Sequence, residues 1–207
     1  MARSKSSDRW LARQHRDPYV KQAQKEGWRS RAVYKLQEID ERDRLLRPGL
    51  VVVDLGAAPG GWSQYVKQRV GPSGRVLALD ILPMEPVEGV ECLQGDFTEP
   101  PVLDLLMARL GDRPVDLVIA DLAPNISGIA SADQARAMHL AELSLEFADN
   151  TLRPGGDFLV KTFQGAGFRE FHRALQQRFA KLVVRKPKAS RAESREAYLL
   201  GKGFKGH

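Results

Sequence analysis

The 207-residue sequence lacks several features that would define its environment. It contains a single cysteine, Cys92, so no disulfide can form within the chain, and we expect a reducing, cytoplasmic compartment. No apolar run approaches the roughly 18 residues that a membrane-spanning helix needs, so we expect no membrane partner. The four histidines are scattered without the spacing of metal ligands, and we assign no metal.

Two nucleotide-binding patterns are also absent, the dinucleotide spacing GxGxxG and the phosphate loop GxxxxGK[ST]. Instead, an apolar run over Val51–Leu55 predicts a buried strand, followed by Gly56, Gly60 and Gly61 in the spacing GxxxGG. A strand, a glycine turn and a helix in this order are typical of a cofactor site in an open α/β sheet. Because both phosphate-binding glycine patterns are absent, the sequence favours a cofactor without phosphate, such as S-adenosylmethionine. It disfavours a nicotinamide oxidoreductase.

From residue 50 onward, strand and helix patterns alternate, which predicts a mostly parallel sheet covered by helices on both faces. The last two strands, Lys181–Arg185 and Arg195–Leu200, are joined by a loop without room for a helix, so we expect an antiparallel C-terminal hairpin. The other predicted strands lie near 51–55, 75–80, 90–94, 115–120 and 156–161, and the predicted helices near 62–70, 101–110, 133–152 and 167–179.

The N-terminal part of the chain has a different composition. Residues 1–29 are polar and are predicted to be irregular or loosely helical. We therefore divide the chain into a basic N-terminal extension, 1–29, and a single domain, 30–207. Lys35 lies at the border of the apolar face of the helix that follows, where its amine can point inward or outward. That helix is predicted to start from an N-cap at Ser30 and to bury Ala32, Val33, Leu36 and Ile39.

The net charge of +6 is concentrated at the two ends of the chain. Residues 1–35 hold ten Lys/Arg and three Asp/Glu, residues 181–207 hold eight and two, and the remainder holds 14 and 21. An acidic centre with two basic ends is typical of a protein that binds a polyanion such as RNA. For the N-terminal segment, a solvated tail or a mitochondrial transit peptide is an alternative, and we expect no secretory signal. Four aromatic residues among these charges could stack on bases or pack on the core: Trp10, Tyr19, Trp28 and Tyr34.

Two carboxylates are placed to bind a cofactor at the carboxyl ends of the predicted strands, where open parallel sheets hold their ligands. Asp80 ends a strand 20 residues after Gly60, where a carboxylate can accept hydrogen bonds from ribose hydroxyls. Asp96 follows the next strand and could meet the adenine. Each carboxylate alone is explained equally well by a role in capping a turn.

Three more charged residues are expected at the same edge of the sheet. Asp121 and Lys161 end two parallel strands, and Glu196 begins the final strand, which runs in the opposite direction. A structural role explains each of them singly, but no single structural reason places all three at one edge. Their convergence indicates a catalytic site.

Five segments of the chain resemble the RrmJ/FtsJ (RlmE) family of ribosomal RNA ribose 2′-O-methyltransferases. The resemblance implies a Rossmann-like, S-adenosylmethionine-dependent methyltransferase fold. It implies a catalytic tetrad of Lys35, Asp121, Lys161 and Glu196, and cofactor-binding positions at Gly60, Trp62, Asp80, Asp96 and Asp121. The segments are Ser30–Leu36, Val52–Ser63, Asp116–Gly128, Leu159–Gly165 and Ser190–Gly203.

The resemblance also implies a substrate, a uridine ribose in large-subunit (23S) ribosomal RNA within the assembled 50S particle, and we expect a monomeric enzyme. Lys161 is the candidate general base; if its amine stays charged, Asp121 would take the proton instead. Other RNAs (a tRNA anticodon loop or an mRNA cap), base methylation and a non-catalytic role in ribosome assembly are alternatives.

Overall fold

The computed structural model describes residues 17–191 and 194–206, and Trp10 and the rest of residues 1–16 lie outside these ranges. Within the described ranges the chain forms six helices and a seven-stranded sheet. The helices are α1 (Pro18–Glu26), α2 (Val33–Asp43), α3 (Gly61–Val70), α4 (Pro100–Leu110), α5 (Ala130–Thr151) and α6 (Phe168–Arg178). The strands are β1 (Val51–Leu55), β2 (Arg75–Asp80), β3 (Glu91–Gln94), β4 (Val115–Ala120), β5 (Leu152–Phe163), β6 (Phe179–Arg185) and β7 (Glu196–Phe204).

The strand order in the sheet is β3-β2-β1-β4-β5-β7-β6. The first five strands in this order are parallel to one another, whereas β7 is antiparallel to both β5 and β6. From β1 the chain adds β2 and β3 toward one edge of the sheet, and from β4 it adds the remaining strands toward the other edge. Neighbouring strands at which the order reverses in this way leave a crevice at their carboxyl ends, where such sheets bind ligands.

Helices cover both faces of the sheet, as the alternating sequence pattern predicts. One face packs against α4, α5 and α6 through an apolar cluster that includes Leu106, Leu145 and Phe171. The other face packs against α1, α2 and α3 through a second cluster that includes Ala23, Leu36 and Trp62. None of the helices in the described ranges is long and apolar enough to span a membrane.

The predicted strands and helices from residue 50 onward are confirmed, including the antiparallel C-terminal hairpin. Three bounds differ by three or four residues. β5 begins at Leu152 rather than at 156, α5 begins at Ala130 rather than at 133, and β7 ends at Phe204 rather than at Leu200. The first residues of β5 include Pro154, Gly155 and Gly156, residue types that favour turns, so the sequence pattern starts the strand only after them.

The N-cap prediction at Ser30 is wrong. Helix α2 starts at Val33 with Ala32 in the N-cap position and no capping side chain. Residues 30–32 form a turn before it, in which Val33 N donates to Ser30 O over 3.3 Å. The Ser30 hydroxyl instead faces α3, because a Cβ at Gly61 would lie 2.7 Å from Ser30 Oγ.

The segment before α2 is more ordered than the sequence predicts. Pro18–Glu26 is a helix whose first turn is capped by Asp17, which accepts a hydrogen bond from Tyr19 N over 3.0 Å. The Tyr19 ring lies 5.5 Å from the ring of Tyr34, and the Trp28 ring packs edge-on against another aromatic ring of the core. Both aromatic residues therefore pack on the domain.

A buried carboxylate joins α2 to α3. Asp40 is 2% exposed and accepts hydrogen bonds from Leu46 N (2.7 Å), the Tyr65 hydroxyl (2.8 Å) and Arg69 Nε (3.2 Å). Burial and the hydrogen bond to Asp40 raise the pKa of Tyr65 above its usual range. Because α2 carries Lys35 and α3 follows the glycine turn, these bonds fix the two helices that flank the predicted site.

We expect Asp40→Ala to lower the free energy of unfolding by about 2–4 kcal/mol, because a buried donor left without its acceptor costs about 1–3 kcal/mol. Urea unfolding of the purified protein measures this change. The matched control is Glu41→Ala, which removes the next carboxylate, on the exposed side of α2. Equal stability of the two variants would contradict a structural role for Asp40.

Candidate active site

The four residues of the tetrad lie together at the carboxyl end of the parallel strands, as predicted. They form two ion pairs. Lys35 Nζ is 2.7 Å from Glu196 Oε1, and Lys161 Nζ is 3.0 Å from Asp121 Oδ1. Lys161 Nζ also donates to the backbone carbonyl of Asp121 over 2.8 Å. The tetrad thus combines two cations, from α2 and β5, with two carboxylates, one directly after β4 and one on β7.

Tyr198 connects the two ion pairs and was not predicted. Its hydroxyl donates to Asp121 Oδ1 over 2.8 Å, and Lys35 Nζ lies 5.6 Å from the centre of its ring. Lys161 is directly opposite Tyr198 in the pairing of β5 with β7. Tyr198 is two residues after Glu196, and alternation along a strand places both side chains on one face. Sequence spacing could therefore have identified it.

The tetrad side chains are largely removed from solvent. Their exposed fractions are 13% for Lys35, 12% for Glu196, 8% for Lys161 and 17% for Asp121. Burial alone would raise the pKa of Glu196, but Lys35, Ser190 and Lys161 outweigh it and lower that pKa. Glu196 is therefore an anion at neutral pH, and it compensates the charge of Lys35.

A cavity of about 690 Å³ adjoins the tetrad on one side. Asp121 lines it, as do two of the predicted cofactor-binding residues, Asp80 and Asp96. This volume falls within the range of small-molecule sites in proteins, roughly 300–1,000 Å³. The wall combines carboxylates with apolar groups, including Leu82, Phe97, Leu122 and Pro124.

Asp80 and Asp96 also brace the loops that form the cavity. Asp80 accepts hydrogen bonds from Ala58 N and Leu82 N, both over 2.8 Å. Asp96 Oδ1 accepts from Thr98 N over 2.9 Å and from the Thr98 hydroxyl over 2.7 Å. The turn-capping role and the cofactor role are therefore compatible, because a carboxylate oxygen has more than one lone pair.

Two predicted cofactor positions, Gly60 and Trp62, are not among the residues that line this cavity. Trp62 is 3% exposed, and its indole N–H donates to Ala32 O over 2.7 Å. Gly60 has a positive φ of 105°, and a Cβ there would lie 3.0 Å from Met84 Sδ. Gly60 therefore allows the backbone conformation of the glycine turn, and Trp62 packs in the core next to it.

Gly56 is the glycine of the turn that reaches the cavity. Its φ is 78°, a conformation that favours glycine, and a Cβ would lie 2.8 Å from Leu122 Cδ2 and 3.2 Å from Leu122 Cα. The turn after β1 can approach the loop after β4 this closely only because residue 56 has no side chain.

Asp54 lies beneath the turn and is fully buried. Burial raises its pKa to about 7, the Ser63 hydroxyl opposes this shift, and the nearby Asp121 and Asp80 charges add to it. Ser63 Oγ donates to Asp54 Oδ2 over 2.6 Å, which ties β1 to α3.

A second cavity, of about 320 Å³, adjoins the tetrad on the side of Lys35 and Glu196. Its wall includes two guanidinium groups, from Arg31 and Arg191. Burial and then the Arg191 charge lower the pKa of Arg31, so the two cations are close enough to repel each other. The tetrad therefore separates a larger cavity lined by carboxylates and apolar groups from a smaller basic one.

Comparison with known proteins gives consistent results. The profile of the FtsJ-like methyltransferase family matches residues 28–204. The chain is 60% identical to "Ribosomal RNA large subunit methyltransferase E" of Stenotrophomonas maltophilia over 99% of its own length and 98% of that protein. It is 57% identical to the protein of the same name from Pseudomonas aeruginosa, with 100% of both chains covered.

A solved structure has the same fold. A crystal structure of a ribosomal RNA methyltransferase from Plasmodium falciparum superimposes with a TM-score of 0.78 at 28% identity. The match covers 87% of this chain and all of that one. On the sequence profile and these whole-length identities, this protein belongs to the FtsJ-like methyltransferase family.

Proposed function

We propose that this protein transfers a methyl group from S-adenosylmethionine to the 2′-hydroxyl of a uridine ribose in large-subunit 23S ribosomal RNA. The observation that carries this proposal is the pair of ion pairs, Lys35–Glu196 and Lys161–Asp121, in the wall between the two cavities. The names of the two relatives described above support ribosomal RNA as the substrate. We further propose that the enzyme acts as a cytoplasmic monomer on the assembled 50S particle.

The larger cavity fits S-adenosylmethionine in its chemistry. Asp80 and Asp96 present carboxylates that can accept hydrogen bonds from ribose hydroxyls and an adenine amine, and Phe97 and Leu122 offer apolar surface to the base. Asp121 is the tetrad residue that lines this cavity, and its carboxylate suits a positively charged group. When bound, S-adenosylmethionine supplies an electrophilic methyl group carried on a sulfonium.

The smaller cavity fits the RNA. Arg31, whose guanidinium also pairs with Asp17, and Arg191 are cations close to each other, and a phosphate between them would reduce their repulsion. A ribose is flanked by phosphates, so an RNA strand held here can present its 2′-hydroxyl to Lys35 and Lys161. The side chains of the protein then need only orient the hydroxyl and remove its proton, and orientation alone can lower a barrier by several kcal/mol.

Lys161 is the proposed general base. In the ion pair with Asp121 the amine carries three protons, so it must first release one to solvent before it can act as a base. The neutral amine then has two N–H bonds and one lone pair. The two N–H bonds can donate to the backbone carbonyl and to the carboxylate of Asp121, whose oxygens lie 2.8 and 3.0 Å from Lys161 Nζ. The lone pair is available for the substrate hydroxyl. Asp121 Oδ1 already faces Lys161 and accepts from Tyr198, which makes it the less suitable proton acceptor of the two.

Lys35 and Glu196 are proposed to position the ribose. The carboxylate of Glu196 remains ionised because its pKa is lowered, so it can accept a hydrogen bond from a ribose hydroxyl. Lys35 donates toward it and can also donate to the substrate oxygen. Together they would hold the sugar against Lys161.

We expect Lys161→Ala to reduce methyl transfer by at least about 10²–10⁴-fold, the usual contribution of a general base, with S-adenosylmethionine affinity unchanged. Large subunits from cells that lack the enzyme serve as substrate, with radiolabelled cofactor and mapping of the methylated ribose. Lys181→Ala, an exposed lysine on β6, is the matched control. Substantial turnover by Lys161→Ala would refute the role of the amine.

We expect Gly56→Ala to weaken S-adenosylmethionine binding, because a Cβ there displaces Leu122 from the wall of the cavity. Isothermal titration calorimetry measures the affinity. Gly111→Ala is the control: Gly111 also has a positive φ, of 60°, but a Cβ there has no neighbour within 4 Å. If both variants bind the cofactor like the wild type, the larger cavity is not the cofactor site.

The basic N-terminal extension, residues 1–29, is proposed to bind RNA, but its last part packs on the core. We therefore delete only residues 2–16, which carry five of its Lys/Arg residues. RNA affinity should fall, and the slope of log affinity against log salt should decrease by up to about 4–5, since each lost phosphate contact removes about 0.9. Cofactor affinity should not change. Unaltered RNA binding would identify the segment as a solvated tail.

A further inference from the structure

The recessed position of the tetrad restricts how an RNA can reach it. Each tetrad side chain is at most 17% exposed, and Lys161 is only 8% exposed. A ribose whose 2′-hydroxyl contacts this amine must enter the recess. Its base then has to leave the stack of its neighbours, which costs a few kcal/mol, and it leaves a gap between them.

A loop at the rim of the recess presents exposed apolar side chains. Residues 121–129 connect β4 to α5 without regular structure. Ile126 in this loop is 83% exposed, more than any of the other large hydrophobic residues that the structure describes as exposed, and Ile129 is 62% exposed. An isoleucine left in water forgoes the free energy that its burial would contribute.

Hydrogen bonds hold this loop in place, so the exposure of Ile126 does not come from a loosely attached segment. The Ser127 amide and hydroxyl donate to Asp133 Oδ1 over 2.8 and 2.7 Å, and Gly128 N donates to Asp133 Oδ2 over 3.1 Å. On the other side of Ile126, the Asn125 carbonyl accepts from Arg136 over 3.3 Å. The residues on both sides of Ile126 are therefore anchored.

The same loop is continuous with the site. Its first residue, Asp121, belongs to the tetrad, and the four that follow, 122–125, line the cofactor cavity. Ile126 is five residues after Asp121, so the chain places it within about 18 Å of that tetrad residue. Arg136 stands beside the loop with its side chain 54% exposed. An aliphatic tip next to an exposed cation suits the stacked bases and phosphates of a nucleic acid.

We propose that Ile126 is an apolar wedge that fills the gap beside the target nucleotide when its ribose enters the recess. This inference rests on the proposed function, since it requires an RNA substrate. Proteins that kink or unstack nucleic acids insert Phe, Leu, Ile, Met or Pro between bases in this way. Ile126 is then a positioning residue: it stabilises the unstacked substrate and takes no part in proton transfer.

The test compares Ile126→Ala with the wild type in steady-state methylation of large subunits from cells that lack the enzyme. We expect kcat/KM for the subunit to fall about 10-fold, equivalent to about 1.4 kcal/mol. The affinity for S-adenosylmethionine and the melting temperature should not change, and Ile126→Met should restore most of the activity. Leu105→Ala, which truncates a 44% exposed leucine on α4, is the control and should behave like the wild type.

The possible results are distinguishable. An active wild type together with an equally active Ile126→Ala would overturn the wedge and leave the proposed function intact. A change confined to cofactor affinity would also overturn it, since the loop would then close over the cofactor rather than contact RNA. A wild type that binds S-adenosylmethionine but methylates no subunit RNA would overturn the proposed function and the wedge with it.

Discussion

The register between the antiparallel strands β5 and β7 is the constraint on which the site depends. Lys161 is opposite Tyr198, and Phe163 is opposite Glu196. Opposed residues in an antiparallel pair place their side chains on the same face, and a slip of one residue would turn every side chain of one strand to the other face. In the observed register, the Tyr198 hydroxyl reaches Asp121 at the end of the neighbouring parallel strand. The antiparallel strand is what brings a carboxylate from the last part of the chain to the carboxyl ends of the parallel strands.

Charge pairing makes this assembly compatible with burial. Removing an isolated charge from water is costly, and the cost is offset only where each ion has a partner and further hydrogen bonds. Glu196 has Lys35 at 2.7 Å, and Asp121 has Lys161 at 3.0 Å and the Tyr198 hydroxyl at 2.8 Å. The lowered pKa of Glu196 shows that the cations outweigh its burial. Removing one member therefore leaves its partner as an uncompensated buried charge, so stability has to be measured together with activity in any tetrad variant.

The sequence predicts well which residues lie at the carboxyl ends of the parallel strands, and it predicts poorly how the helices pack around them. The reason is that strand ends follow from local sequence, whereas helix packing depends on distant residues. Asp121 and Lys161 each follow an apolar run, so the end of a strand is visible in the order of residues, and parallel strands end at a common edge. The side on which Trp62 packs depends instead on how α2 and α3 pack together, which no local sequence pattern indicates. This tryptophan donates to Ala32 O and is not among the residues that line the larger cavity. The missing cap at Ser30 has the same origin, since contact with α3 replaces the local capping bond. The spacing of Tyr198 from Glu196 places both side chains on one face, but the contact of Tyr198 with Asp121 follows only from the register of β5 and β7.

The loop after β4 contains, in one short segment, a residue of the tetrad, residues that line the larger cavity and the proposed RNA contact at Ile126. Its start is fixed by the tetrad and by the close approach of Leu122 to Gly56, and its end is fixed by the hydrogen bonds to Asp133. Because both ends are held, the distance between the larger cavity and the tip at Ile126 is set by the fold. In the proposed function, this spacing would set the position of a ribose relative to the methyl donor. The same hydrogen bonds account for the exposure of Ile126, because they hold the residues on both sides of it and keep the loop from folding this side chain back onto the core.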